Sequence, residues 1–285
     1  QINNHFFLIF HNLQYLQKLG TLYFLKDIFK ISYLVMDLNV LKGIKWVEFW
    51  ATNILGKVKS VTLPVKDGKL PDMVGFDGSS LGFAPINSSD MVLVPDVSTL
   101  KVIPWSSKDH LSAMVICDIY EAIGGNRFPG DPRYVSSLVE EEVKKAGFSK
   151  VLIAPEMEFF VFDGIRKLGG SINVFGKKLM VVEISSEETK IDSGGYYIET
   201  KDGYFQPTPF DKTHEYRIEL CEKMMEMGLN VTKTHHEVAT IGQVEIIMIA
   251  DTLTNMADKV QIYKFTARNI AEQHGLVATF MPKPM

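Results

Sequence analysis

The chain has 285 residues, of which 46% are hydrophobic and 22% charged, and its formal net charge is −4. This composition is typical of a globular protein large enough for two domains. It offers no basic surface to attract nucleic acid or an anionic membrane, so we expect neither partner. The two cysteines, Cys117 and Cys221, are far apart and form no metal or redox spacing, which indicates a cytoplasmic protein.

Residues 1–35 form an atypical amino-terminal extension, rich in Phe, Leu and Ile. The longest uninterrupted apolar run, Phe6 to Phe10, is too short to span a bilayer, and no signal-peptide cleavage pattern follows. The extension is interpreted either as amphipathic helix broken at Gly20 or as translated upstream sequence before a natural start at Met36. We assign it no function.

Residues 36–122 are predicted to form a small sheet-rich domain, because short apolar strands alternate with turn residues. The first two strands form a predicted hairpin around Gly56. The predicted strands are Ile44–Thr52, Val58–Pro64, Met91–Pro95, Leu100–Trp105 and Ser112–Tyr120.

A second domain, residues 132–285, follows a linker rich in glycine and proline. Its first predicted helix has Pro132 in the first turn and Asp131 as a cap, with an apolar stripe at Val135, Leu138, Val139 and Val143. We expect a long loop with short strands over Ile165–Gly203. The other predicted elements are a strand at Ala154–Phe162, a helix at Asp211–Gly228, a strand pair within Asn230–Ile249, a helix at Asp251–Gln273 and a strand at Val277–Met281.

Two acidic residues interrupt the apolar strand that ends at Phe162. Glu156 and Glu158 are two residues apart, so a strand would place both side chains on one face. One interpretation is an edge strand whose polar face meets water. The other is a site for a hard divalent cation, which would offset the repulsion between the carboxylates.

A second pair of acids favours the metal interpretation. A hairpin turning at Ile241-Gly242 would bring Glu237 and Glu245 together on adjacent strands. Four carboxylates in apolar settings would suit two divalent ions. The preceding pair, His235 and His236, lacks a zinc-site spacing, so we expect these histidines to be hydrogen-bonded and to orient the loop.

Several motifs in this chain resemble those of class I, prokaryotic-type glutamine synthetases. They occur in that family's order and spacing over about Gly43 to Met285. The matching segments are Phe76-Asp77-Gly78-Ser79-Ser80, Ser89 to Asp96, the Glu156/Glu158 strand, Gly203-Tyr204-Phe205, Asp211 with Arg217, the His-His-Glu237…Glu245 hairpin and Ala278 to Pro284.

The resemblance implies roles for the acidic residues. Glu158, Glu237 and Glu245 correspond to ligands of a first Mg²⁺ or Mn²⁺, which helps to bind glutamate and ammonia. Glu156 corresponds to one ligand of a second metal, which bridges the phosphates of ATP. The family's remaining ligands of that metal, and its phosphate-binding arginines, would lie beyond Met285.

The resemblance also implies an ammonium pocket and a nucleotide pocket. Asp77 and Ser80 correspond to a loop lent to the neighbouring subunit, where the aspartate binds ammonium and takes its proton, and Asp90 corresponds to a second acid of that pocket. Tyr204, Thr232, Met248 and Ala250 are nucleotide-site candidates. Thr232 replaces the family's usual glutamate, and Met248-Ile249-Ala250 stands where a basic-aromatic pair is usual.

The expected fold is α+β, with a β-grasp-like amino-terminal domain before an incomplete catalytic domain in which helices flank an antiparallel sheet. The expected activity is ATP-dependent ligation of ammonia to L-glutamate through γ-glutamyl phosphate, in a homo-oligomer built as a dodecamer. Two alternatives are a ligase joining glutamate to another amine, and a non-catalytic, oligomer-forming protein. Since the chain starts at Gln1 and stops without a closing helix, we expect a fragment, inactive alone.

Overall fold

The computed structural model describes residues 41–174, 177–190, 194–282 and 284. The amino-terminal extension, residues 1–35, lies outside the described residues. Among the helices that are described, none combines the length and the apolar character needed to cross a lipid bilayer.

The amino-terminal domain is one six-stranded sheet with the strand order β2-β1-β6-β4-β3, and β5 pairs with β6 beside it. Strands β1 and β6 are parallel, whereas the other pairs are antiparallel. The strands are β1 Trp46–Thr52, β2 Val58–Pro64, β3 Val74–Asp77, β4 Asp90–Pro95, β5 Lys101–Val102 and β6 Ser112–Glu121.

The central strands of this sheet are buried on both faces, and each face packs in a different core. Phe49 and Val115 lie in a core within the amino-terminal domain. Trp50 and Ile116, one residue further along each strand, lie in the main core with the second domain. Because alternate side chains point to opposite faces of a strand, β1 and β6 join the two domains through one sheet.

The second domain contains a four-stranded antiparallel sheet with the order β11-β12-β8-β14. A two-stranded hairpin, β9–β10, and a short pair, β7–β13, lie outside this sheet. The elements are α1 Pro132–Lys145, β7 Leu152–Ile153, β8 Glu158–Phe162, β9 Gly164–Val174, β10 Lys177–Ser185, α2 His214–Glu226, β11 Val231–His236, β12 Gln243–Met248, β13 Asp251–Thr252, α3 Leu253–Gln273 and β14 Val277–Thr279.

Helices α2 and α3 cover the sheet of the second domain with an apolar layer. Tyr263 of α3 is fully buried, and its hydroxyl donates to the backbone oxygen of Met157 at 3.2 Å. On the other side of α3, Phe265 meets the indole of Trp50 edge-on, with ring centroids 4.6 Å apart. The long helix therefore contacts both the sheet that carries the acidic residues and the amino-terminal domain.

The predicted α+β architecture is confirmed, but four local predictions differ from the structure. The segment predicted as a long loop with short strands contains a regular hairpin, β9–β10, with strands of 11 and 9 residues, and its glycines and polar residues obscured this strand pattern. The acidic strand begins only at Glu158, since four residues after Ile153 are not in a strand. Strand β3 was not predicted, and β5 is limited to Lys101–Val102.

Helix α1 begins as predicted, with Pro132 in the first turn and the Asp131 carboxylate accepting from the backbone nitrogen of Arg133 at 3.0 Å. Its apolar stripe, however, is not covered in the described chain. Val135 is 48% exposed and Val139 46% exposed. The periodicity therefore identified the helix correctly without showing what its apolar side faces.

Arg133, on α1, links the two domains through three carboxylates. Its guanidinium lies 2.5 Å from Asp96 Oδ2, 2.6 Å from Asp118 Oδ1 and 3.1 Å from Asp258 Oδ2. Asp96 and Asp118 belong to the amino-terminal domain, whereas Asp258 is on α3. Partly buried carboxylates would repel one another without a cation, so this arginine is needed to hold the interface.

We expect Arg133→Met to lower the free energy of unfolding by about 3 kcal/mol, since it leaves three carboxylates together without their cation. The measurement is urea unfolding at pH 7. The matched control is Lys145→Met, which removes an exposed ion pair with Glu142 and should cost less than about 1 kcal/mol. Equal costs for the two variants would contradict the proposed role of Arg133.

The stability of this interface should also depend on pH through Asp258. Burial raises the pKa of Asp258 from 3.8 to about 6, with Arg133 opposing and the neighbouring Asp96 and Asp118 adding to the effect. Between about pH 4 and 6 the folded chain therefore holds a proton that the unfolded chain has lost, so stability falls as the pH rises.

We expect the Asp258→Asn variant to lack this decline, as measured from urea unfolding midpoints at pH 4, 5, 6 and 7. Asp251→Asn is the control, because a hydrogen bond from Lys259 lowers the pKa of Asp251 and places its titration below this range. A parent-minus-Asp258→Asn difference in stability that rises with pH would contradict the assignment.

Candidate metal centre

The β11–β12 hairpin places two acidic residues side by side, as predicted from its central glycine. His235 is the register partner of Glu245, and the Glu237 nitrogen donates to the Gln243 oxygen at 2.8 Å. Gly242, at the turn, has φ +71°, and a Cβ there would collide with the backbone oxygen of Val161. Only glycine fits this conformation and this space, so the residue fixes the hairpin.

His235, Glu237 and Glu245 form a buried cluster in which one ligand atom of each side chain lies within 4.8 Å of the others. The Nδ1 atom of His235 is 3.3 Å from Glu237 Oε1, and its Nε2 atom is 3.0 Å from Glu245 Oε2. All three residues are at most 9% exposed. The cluster offers two carboxylates and one imidazole to a common point.

The electrostatics of this cluster favour a bound cation. Burial raises the pKa of Glu245, and the neighbouring carboxylates of Glu237 and Glu158 raise it further, against the opposing effect of His235. The Nε2 atom of His235 is buried and lies close to Glu245 Oε2, but it is not oriented for a hydrogen bond and has no hydrogen-bond partner. Carboxylate oxygens and an imidazole nitrogen are ligands of Mn²⁺ and related divalent ions, so these residues fit a metal.

The structure brings one of the two acids before Phe162 to this cluster. Glu158 is the direct cross-strand partner of Glu245, and its carboxylate accepts from the side-chain nitrogen of Gln243 at 2.7 Å. Glu156 is exposed and lies before the start of β8, so the strand alternation that was expected to align it with Glu158 does not extend to it.

A second buried cluster lies beneath the first and was not predicted. It joins Glu188, Asp211 and His236. The His236 ring is 3.0 Å from Glu188 Oε2 through Nε2 and 2.6 Å from the Glu237 backbone oxygen through Nδ1. Burial alone would lower the pKa of His236, but these hydrogen bonds raise it. The expectation that this histidine is hydrogen-bonded and orients the loop agrees with these contacts.

Asp211 and Arg217 connect helix α2 to the β11–β12 hairpin, which carries Glu237 and Glu245. The two side chains form a buried ion pair, and Asp211 also accepts from the nitrogen and hydroxyl of Thr213 at 2.8 and 2.7 Å. Arg217 further donates to the hydroxyl of Thr234 on β11 at 3.1 Å. Sequence reasoning found Asp211 and Arg217 but not Glu188, which lay in the segment predicted as a long loop with short strands.

The predicted ammonium-binding residues form a separate group on the amino-terminal sheet. Asp77 and Asp90 are register partners at the β3–β4 end, and Asp77 accepts from the nitrogen and hydroxyl of Ser79 and the hydroxyl of Ser80 at 2.9, 2.7 and 3.0 Å. These hydrogen bonds, from Ser79 first, lower the pKa of Asp77 to about 2. An exposed, ionised carboxylate therefore stands at this loop at neutral pH.

The predicted nucleotide residues do not all share one surface. Tyr204 is 53% exposed and meets the His235 ring edge-on at 5.4 Å, beside a cavity lined by Phe205, Gln206, Arg217, Lys233, Thr234, His235 and His236. Thr232 is exposed, and its hydroxyl donates to the Ile247 backbone oxygen. Ala250 is half-buried, whereas Met248 is 3% exposed and packs in the main core. The side chain of Met248 thus faces the core and not a surface pocket.

Both parts of the chain match models of one family. A model described as "Glutamine synthetase, beta-Grasp domain" matches residues 43–122, and one described as "Glutamine synthetase, catalytic domain" matches residues 129–285. The second match alone covers more than half of the chain.

Curated relatives and a solved structure agree with the family models. Glutamine synthetase of Archaeoglobus fulgidus is 40% identical over 251 residues, covering 82% of this chain and 50% of that protein. The Salmonella typhimurium enzyme is 39% identical over 257 residues, covering 85% and 53%. A Plasmodium falciparum glutamine synthetase structure superposes with a TM-score of 0.74 at 26% identity, covering 86% of this chain and 48% of that one. The chain spans about half the length of these relatives, and it belongs to the glutamine synthetase family.

Proposed function

We propose that this protein contributes to ATP-dependent ligation of ammonia to L-glutamate, giving L-glutamine by way of γ-glutamyl phosphate. The observation that carries the proposal is the buried cluster of His235, Glu237 and Glu245, with Glu158 directly opposite, on a glutamine synthetase catalytic domain. Such a reaction must activate a carboxylate, which is a poor acyl donor, and converging acidic ligands are what a metal-assisted phosphoryl transfer requires.

In this proposal Glu158, Glu237 and Glu245 hold one Mg²⁺ or Mn²⁺. His235 is proposed as a further ligand, because its ring lies between Glu237 and Glu245. Glu156 contributes to a second metal site. Bound metals would neutralise charge on the transferred phosphoryl group. The chain's own part is to keep the ligands converging, through the β11–β12 hairpin, and to exclude water, through the apolar layer beneath them.

Tyr204, Thr232 and Ala250 are proposed for the nucleoside part of ATP. Support comes from Tyr204, whose ring is exposed beside the metal cluster and stacks on Phe205 with centroids 4.1 Å apart. A stacked, exposed aromatic pair next to the proposed metal site suits a purine base. Met248 is left out of this set because its side chain packs in the core.

Asp77, with Ser80 and Asp90 beside it, is proposed to bind ammonium and accept its proton. A carboxylate that stays ionised attracts the cation and favours its conversion to the nucleophile ammonia. The hydrogen bonds from Ser79 and Ser80 keep Asp77 in that state. The amine ligase of the same family is the alternative, and the substrate test below separates the two.

Membership of the glutamine synthetase family leads to two further proposals. We infer that the complete protein assembles as a homo-oligomer, a dodecamer of two hexameric rings, in which the Asp77 loop serves a neighbouring subunit. We also infer a cytoplasmic location. The two buried cysteines, Cys117 and Cys221, are unpaired, which agrees with a reducing compartment.

The metal site predicts a direct binding result for the 285-residue chain. We expect Mn²⁺ to bind, and Glu237→Gln or Glu245→Gln each to weaken binding by more than about tenfold, since lost ligands should cost at least as much as lost outer-shell partners. Titration followed by electron paramagnetic resonance measures the free ion. Glu226→Gln, which alters an exposed pair with Lys223, is the control. Unchanged affinity in both cluster variants would refute the site.

The ammonium assignment predicts a selective kinetic effect in the product of the complete gene. We expect glutamine from ATP, glutamate and ammonium, and a raised KM for ammonium in Asp77→Asn, with the KM for ATP unchanged, because the lost charge faces only the amine. The control is Asp67→Asn, at an exposed turn of the same domain. Formation of a γ-glutamyl amide from an organic amine, without glutamine from ammonium, would select the amine ligase instead.

A further inference from the structure

Glu188 is a buried acid that the proposed metal site does not use. It lies in a short 3-10 turn, Glu187–Thr189, that follows β10, and it is 1% exposed. Its backbone is held on both sides, because its nitrogen donates to the Ser186 hydroxyl at 3.3 Å and its oxygen accepts from the Ile198 nitrogen at 2.9 Å. The side chain therefore projects from a fixed point.

The carboxylate of Glu188 contacts both strands of the β11–β12 hairpin, close to its turn. Its Oε2 atom accepts from the backbone nitrogen of Gly242 at 2.6 Å and lies 3.0 Å from Nε2 of His236. His236 closes β11 directly before Glu237, and Gly242 lies directly before β12, which carries Glu245. One oxygen atom thus joins the two strands at the point where the metal ligands begin.

Backbone packing prevents the hairpin from moving away from Glu188. The Gly242 oxygen accepts from the Val161 nitrogen at 2.8 Å, while a Cβ on Gly242 would strike Val161. The backbone at Gly203 also lies close to the hairpin, since a Cβ added there would collide with the Glu237 backbone oxygen and the His236 ring. The hairpin is enclosed by backbone on two sides and by the Glu188 carboxylate beneath.

Burial of this carboxylate is costly for the fold. The second oxygen of Glu188, Oε1, is buried and has no hydrogen-bond partner. A buried polar atom without a partner destabilises the folded state, whereas the other oxygen, Oε2, satisfies the buried Gly242 nitrogen and His236 Nε2. A contribution to the geometry of the hairpin explains why an acid occupies this position.

We propose that Glu188 is a positioning residue, which sets the separation of Glu237 and Glu245 by binding His236 and Gly242 through one oxygen. The inference rests on the proposed metal site and deepens it. Outer-shell partners that orient metal ligands typically change metal affinity by 10–100-fold when they are removed. The reach of the side chain, more than its charge, is what the geometry requires.

The test compares reach with charge in the 285-residue chain. Glu188→Gln keeps the length and one acceptor oxygen, whereas Glu188→Asp keeps the charge but is shorter by one methylene. We expect Mn²⁺ affinity to fall about 10–100-fold in Glu188→Asp and to stay closer to the parent in Glu188→Gln. The neighbouring Glu187→Gln, which alters an exposed pair with Lys190, should bind as the parent does.

Circular dichroism melting separates positioning from stability. If Glu188 served the fold alone, affinities measured well below each melting temperature would equal the parent's, and the inference would be overturned. Amide hydrogen exchange at Gly242 gives a readout without metal, with protection expected to fall in Glu188→Asp and to persist in Glu187→Gln. Protection unchanged in Glu188→Asp would also overturn it, even if that variant were less stable overall. If the parent chain binds no Mn²⁺, the proposed metal site is refuted. The exchange measurement needs no metal, so it tests the contact between Glu188 and Gly242 independently of that site.

Discussion

Repulsion among the carboxylates of one hairpin is the constraint on which the site depends. Glu237 and Glu245 are held together with His235 in a buried place, and Glu158 lies directly opposite on the next strand. Carboxylates brought together in this way raise one another's pKa unless a cation lies between them. Burial is the main cause of the raised pKa of Glu245, and repulsion from Glu237 and Glu158 adds to it. A divalent metal bound among these residues would offset the repulsion, as the metal-assisted phosphoryl transfer proposed above would require.

The rest of the fold keeps these acidic residues in position. Helix α3 packs against the sheet through Tyr263 and against the amino-terminal domain through Phe265, and Arg133 ties that domain to the same helix. Beneath the ligands, Glu188 and Arg217 connect the hairpin to segments that are distant in sequence. The acids are therefore positioned by contacts from both domains and not by the hairpin alone.

Local patterns in the sequence were enough to predict the elements whose signals are short-range. The glycine turn at Gly242 predicted the hairpin of Glu237 and Glu245, and the cap and proline at the start of α1 predicted its first turn. The family resemblance, confirmed by both family models, supplied the fold. Glu188 could not be found in this way, because its role arises only when residues far apart in the chain meet. The strands of the β9–β10 hairpin were hard to predict for a similar reason, because cross-strand pairing and not apolar alternation defines them.

The central claim is that the acidic hairpin holds a metal ion, and crystallography with manganese tests it most directly. Crystals of the 285-residue chain soaked in MnCl₂ and measured near the manganese absorption edge would show the ion by its anomalous scattering. We predict a peak among His235, Glu237 and Glu245, at roughly 2.0–2.4 Å from their ligand atoms. The absence of a peak at this cluster, in crystals that bind manganese at other sites, would contradict the account.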